Sequence, residues 1–167
     1  METLTLLSEM HIMVSSNKSF EEFTTAIEAI AQKDQIDLAG VEEMVLASQS
    51  WEEFQEALES KIGTRSLMTF AIIDHGSLMS LAFKDTKAKL YVIGNPLIAR
   101  QMLEENLGVG LYVPLRMLVY EDQEGRTQIT YNQPSFVLGQ FQNPKILAIA
   151  QMLDRKLEEI ISTAEAF

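Results

Sequence analysis

Between Leu90 and Arg116 the chain passes from a β-favouring stretch into Gly94-Asn95-Pro96, then through a helical segment followed by Gly108 and Gly110, and into Val113-Pro114-Leu115-Arg116. No other stretch restricts the fold as much. An asparagine at a helix N-cap offers its side-chain oxygen to free backbone N–H groups, and a proline at the first helical position already has the φ a helix needs. The spacing therefore predicts a strand over 89–93, a corner, a helix over 96–106 closed by the glycines, and a new strand after Pro114.

The flanks supply the rest of a sheet. Residues 66–74 alternate with apolar side chains on both faces, Met68, Phe70 and Ile72 on one and Leu67, Thr69, Ala71 and Ile73 on the other, which predicts an internal strand ended by Gly76. A short helix is expected over 77–83, before a polar break at 84–87. Beyond Pro114, strands over 115–120 and 126–131 flank a turn at Asp122-Gln123-Glu124-Gly125 and predict a hairpin. Asn143-Pro144 repeats the cap and proline and starts the last and longest helix. Ile146, Ala150, Leu153, Leu157 and Ile160 stripe one side of it, with Asp154, Arg155, Glu158 and Glu159 placed outside.

The first sixty residues hold two similar units. Met10 to Val14 reads as extended; Ser19 and Glu22 form a capping box ahead of Phe20, Phe23, Ile27 and Ile30. After a break over 35–40, Met44 to Ala47 again reads as extended, and Ser50 with Glu53 caps a stripe of Trp51, Phe54, Leu58 and Ile62. Two copies fall short of the three a solenoid needs, and both common descent and coincidence account for them. Contiguity gives the first strand of the main domain to the second copy. The division is then an acidic strand-helix extension over 1–43 and a main α+β domain over 44–167.

Charge narrows the function classes. Residues 1–60 carry 13 acidic and 2 basic side chains and residues 61–167 carry 11 of each, so the whole net charge of −11 sits in the first third. A nucleic-acid partner needs a basic face to displace phosphate counterions, and no stretch supplies one. The acidic third reads as solvated helix faces, or as a surface for a basic partner. With no cysteine and only His11 and His75, neither a disulfide nor a classical zinc site is expected, and no cofactor is implied. No apolar run approaches the roughly 18 residues of a membrane span, and Glu2 stands where a signal peptide has basic residues. A cytoplasmic protein with one core and no membrane partner is the expectation.

Ile73-Asp74-His75, Gly94-Asn95-Pro96, the run Val113-Pro114-Leu115-Arg116-Met117-Leu118-Val119-Tyr120-Glu121-Asp122 with Gly125, and Tyr131-Asn132-Gln133-Pro134 follow one another in an order that resembles domain of unknown function 302. The resemblance covers roughly residues 44–163. It departs from the family at Val113, where leucine is frequent, and in the extra N-terminal unit. It implies a TATA-box-binding-protein-like β-α-β(4)-α fold, with a curved, mainly antiparallel sheet packed on a long C-terminal helix, and a homodimer. It names no reaction, and function resides in sites rather than folds.

Two places carry candidate chemistry. His75 beside Asp74 at a strand end has the make-up of a general acid or base, although neighbouring strand residues point to opposite faces and the histidine equally serves as a strand-end cap. At the Asn95 corner, the free N–H groups of a helix start attract a carboxylate or phosphate, with Arg116 as countercharge. Alternatively Asn95 is a plain cap and Arg116 pairs with Glu121 or Asp122. Tyr120 and Tyr131 either line this pocket or pack on the hairpin. No nucleophile elbow or nucleotide loop is present. The sequence favours a non-enzymatic domain binding a small anionic or amphipathic ligand, or a protein, through Asn95, Arg116, His75 and Tyr131. The alternative is an enzyme on a small anionic substrate, with His75 and Arg116 converging on the Asn95 helix start.

Overall fold

Five strands account for most of the apolar alternation, and they lie in one sheet. The computed structural model describes residues 10–31, 36–62, 67–82 and 86–167. The strands are β1 (His11–Ser15), β2 (Met68–Asp74), β3 (Ala88–Gly94), β4 (Leu115–Glu121) and β5 (Thr127–Asn132), in the order β1-β5-β4-β3-β2. Every pairing is antiparallel and the sheet is curved, as expected. The helices are α1 (Phe20–Ala31), α2 (Leu38–Ala47), α3 (Trp51–Ile62), α4 (His75–Met79), α5 (Pro96–Leu103), α6 (Pro134–Leu138) and α7 (Pro144–Ala166).

Strand register sorts the side chains by face, because successive residues alternate. Tyr91 and Ile93 of β3, Met117 and Val119 of β4, and Ile129 and Tyr131 of β5 point into the core. There they meet Phe23 and Ile27 of α1 and the stripe Ile146, Ala150, Leu153, Leu157 and Ile160 of α7. The opposite face carries Leu90 and Val92, Arg116 and Leu118, and Thr130, aligned by the pairs Leu90↔Leu118, Val92↔Arg116 and Leu118↔Thr130. Among the described residues it has no helical layer of the same extent. A smaller cluster of Ile36, Phe54, Leu58, Met68 and Phe70 holds α2 and α3 against the β2 side.

The predicted caps form. Ser19 and Glu22 exchange bonds at the start of α1, Asn95 Oδ1 accepts the Leu97 N–H at 2.8 Å, and Asn143 Oδ1 accepts those of Lys145 and Ile146. In the hairpin turn, Asp122 Oδ1 takes the N–H groups of Glu124 and Arg126, and Gly125 has φ +76°.

Five readings need correction. The strand expected to be internal, β2, lies at the sheet edge among the described residues, and its apolar outer face is covered instead by α3, where Phe54 and Leu58 meet Met68 and Phe70. Met44 to Ala47 is helical, because Asp37 caps the Gly40 N–H at 2.8 Å and Val41 and Met44, a helical step apart, reach the smaller cluster. The first strand of the sheet therefore comes from residues 11–15, which pair with β5 from His11↔Asn132 to Ser15↔Gln128. The Pro96 helix stops at Leu103, and Gly108 and Gly110 lie inside a following 3-10 turn, Leu107–Leu111. Asp154 is buried rather than outside, accepting the Ser135 N–H at 2.9 Å. Ser66, Gln35 and Phe83, ends of three predicted segments, lie outside the described residues, as does the Ile62 side chain.

Candidate functional site

The Gly94-Asn95-Pro96 corner is a packing device before it is anything else. A Cβ on Gly94 would stand 2.9 Å from Phe70 Cε2 and 3.3 Å from Pro114 Cβ, so any side chain here would force the Phe70 ring to shift. Asn95, extended at φ −147°, turns the chain and caps α5, and Pro96 takes the first helical position. On one side of the corner lies a cavity of about 580 Å³. Its lining includes Asn95 itself, Trp51, Phe70, Ala99 and Leu103, and it is overwhelmingly apolar. Arg100 stands at this cavity with its guanidinium carbon 4.1 Å from the centroid of the Trp51 ring and its Nε donating to Glu104 at 2.6 Å.

Arg116 belongs to a different cavity, of about 670 Å³, at the end of the open sheet face. The two cavities share Val113, Pro114 and Leu115, which form a common wall, and the Val113–Pro114 peptide is cis. Leu90, Val92 and Leu118 make the floor of the second cavity, and Tyr112 and Val137 bound it. His11, Thr130 and Asn132 bring polar groups. Thr130 Oγ1 bonds the Ile12 carbonyl at 2.9 Å and meets His11 Nε2, while His11 Nδ1 lies 3.3 Å from Asn132 Oδ1.

The acids that the sequence offers as partners for Arg116 are taken elsewhere. Glu121 binds Lys87 at 3.1 Å, and Asp122 binds Arg126 at 2.9 Å. Lys89 is likewise bound, to Glu28 at 2.7 Å. Arg116 is exposed and makes no ion pair or hydrogen bond with the described residues. Tyr131 lines the same cavity but is otherwise buried; burial pushes its phenol up, and the charges of Glu158 and Asp154 add to this. Tyr120 instead packs on the open face, its hydroxyl 3.5 Å from Met13 Sδ.

His75 joins neither cavity. It follows the end of β2, where Asp74 pairs with Lys89, whereas Asn95 follows the other end of β3, where Gly94 pairs with Met68. Antiparallel pairing thus separates them by about 20 Å, the length of six or so strand residues. Asp74 caps α4, accepting the Ser77 N–H at 2.8 Å and its hydroxyl at 2.7 Å, and these bonds hold its carboxyl below the usual range. The expected convergence of His75, Arg116 and Asn95 therefore does not occur: Arg116 and Tyr131 border one cavity from opposite sheet faces, and Asn95 and His75 lie apart from it.

The histidine that does reach the Arg116 cavity is His11. The sequence does not bring it forward, because the pairing that delivers it spans 121 residues. One signal exists: the polar alternation Gln128, Thr130, Asn132 marks a strand face that is not core. Among the described residues no group of three or more His, Asp or Glu is placed to hold a metal ion.

A helix-backed antiparallel sheet with one open face, and a cation-bearing cavity at the end of that face, define a single-sheet α+β domain. The chain belongs to the family described as domain of unknown function DUF302, whose model matches residues 43–164. A crystal structure of an uncharacterised conserved DUF302 protein from Bacillus stearothermophilus has the same fold, with a TM-score of 0.63 and 19% identity, covering 92% of this chain and 97% of that one. Segments of two curated proteins also match: fluoride-specific ion channel FluC 1 of Brucella suis biovar 1 (strain 1330) and FluC 1 of Brucella abortus biovar 1 (strain 9-941). Each is 26% identical over 83 residues, or 49% of this chain. The match spans only 33% and 31% of those channels' lengths, and among the described residues no helix is long and apolar enough to cross a membrane.

Proposed function

We propose that the protein is a binding module for a small amphipathic carboxylate, held at the Arg116 cavity. One observation carries this reading: an arginine unpaired among the described residues stands over an apolar floor in a chain of net charge −11, whereas Lys87, Lys89 and Arg126, elsewhere on the sheet, are ion-paired. A guanidinium presents a planar fork matched to a carboxylate. Leu90, Val92 and Leu118 would receive the apolar body, and Asn132 and His11 the remaining polar atoms.

Titration calorimetry with decanoate tests it. Charge-assisted hydrogen bonds contribute about 1.5–3 kcal/mol, so Arg116→Ala is expected to weaken decanoate by about tenfold or more, with Arg116→Lys between. Equal affinity in wild type and Arg116→Ala rejects the reading.

The same face bears on assembly. Met13 and Ile73, at the two ends of the cross-strand row through Thr130, Leu118 and Leu90, are 61% and 46% exposed, and a homodimer formed across this face would cover them. A mass near 18.8 kDa by light scattering at micromolar concentration would reject the dimer.

A further inference from the structure

The apolar cavity at the Gly94 corner stands apart from the Arg116 site, on the far side of the wall Val113, Pro114 and Leu115. Leu38 and Trp51 line it from α2 and α3, Ala99 and Leu103 from α5, Phe70 from β2, and Pro114 from the segment that leads into β4. At about 580 Å³ it falls within the range of sites that enclose small molecules. Its charged lining groups cancel: Arg100 is bonded to Glu104 at 2.6 Å and its guanidinium lies over the Trp51 ring. A charged guest would lose hydration here and find no unpaired countercharge, whereas a neutral apolar guest loses nothing of the kind.

The wall formed by α2 gives a route of entry. No residue of that helix is buried, and Leu38, Val45 and Leu46 remain exposed on it. An element with so little packing opens at low cost compared with the sheet and α7. The geometry points to a second binding site in this cavity, selective for a neutral, apolar small molecule, with Trp51 and Arg100 at its edge and α2 as the movable wall. The sequence motif that marks the corner thereby frames a site, since Gly94, Asn95, Pro96 and Pro114 all line it.

Trp51 is the single tryptophan of the chain, so it reports on this cavity alone. The probe is N-phenyl-1-naphthylamine, which is neutral and fluoresces in apolar surroundings. Titrated into the full chain, it is expected to brighten, to quench Trp51 by energy transfer, and to saturate near one probe per chain. Ala99→Phe, which places a ring in the cavity, should weaken the probe by about tenfold or more with the circular dichroism retained. Leu38→Asp, at an exposed position at the start of α2, should also weaken it by about tenfold through an unpaired charge at the edge, and serves if the phenylalanine variant does not fold. Arg116→Ala should leave probe affinity within about twofold, so failure of the carboxylate reading is distinguishable from failure of this one. No probe binding, binding without Trp51 quenching, or full affinity in a folded Ala99→Phe or Leu38→Asp variant overturns the proposal.

Discussion

Gly94 and Phe70 meet so closely that a single added methyl on the glycine would lie 2.9 Å from the ring. Its φ is not in the left-handed region, so the requirement is one of space alone. Gly94→Ala is expected to cost about 1–3 kcal/mol in urea melts, the usual range for overpacking. Gly139→Ala is the control: it has φ −59° and no atom within 4 Å of the added Cβ, and should be neutral or stabilising by up to about 1 kcal/mol.

Tyr91 is fully buried with its hydroxyl donating to Glu28 at 3.0 Å. Burial foremost, and then the Glu28 charge, push its phenol far above the ordinary value near 10. The native state thus keeps a proton that the unfolded state releases, so stability falls as pH rises above about 10. Absorbance at 295 nm should show a late, cooperative ionisation that coincides with unfolding, and Tyr91→Phe with Tyr131→Phe should remove it. Persistence of that phase in the double variant would refute the assignment.

Asp122 has the opposite sign. The Arg126 backbone N–H foremost, with Gln128 and the Arg126 side chain, holds its carboxyl down at about 2. Its contribution is complete above the unfolded value near 4 and disappears as pH falls towards 2. Asp122→Ala should be less stable than wild type at pH 7, and the difference should close between about pH 4 and pH 2. A constant difference across that interval would show that the charge is irrelevant.

Asp154 reaches from α7 to the first turn of α6, where it accepts the Ser135 N–H. Removing a buried acceptor leaves that donor unpaired, at about 1–3 kcal/mol. Asp154→Ala should lower stability by that amount in urea melts, and amide exchange at Ser135 should quicken.

Local rules make most of the elements legible in the sequence. Asn95-Pro96, Asn143-Pro144 and Ser19 with Glu22 each specify a helix start within a few residues, and the alternation of 115–120 and 126–131 specifies a hairpin. What escapes those rules depends on distance along the chain. Met44 to Ala47 is extended by residue type but helical because Asp37 caps it and the Phe54–Phe70 cluster receives it. Asp74-His75 stands out as a pair of sequence neighbours, whereas the histidine that lines the Arg116 cavity arrives through the pairing of β1 with β5. Asn95 and Arg116 read as one site because they flank one motif, and Val113 to Leu115 divides them.

The family match begins at residue 43, yet β1 and α1 lie ahead of it. β5 is an inner strand only because residues 11–15 lie along it, and Phe23 and Ile27 of α1 are wholly buried under the same sheet. A chain cut back to the matched segment would bare the outer N–H and C=O groups of residues 128–132. The best available replacement is the excised strand and helix themselves, bound in trans, which restore each lost backbone bond. Proteolysis ahead of residue 43 would thus convert a self-contained sheet into one completed only by the returning excised segment, with a stability that depends on concentration.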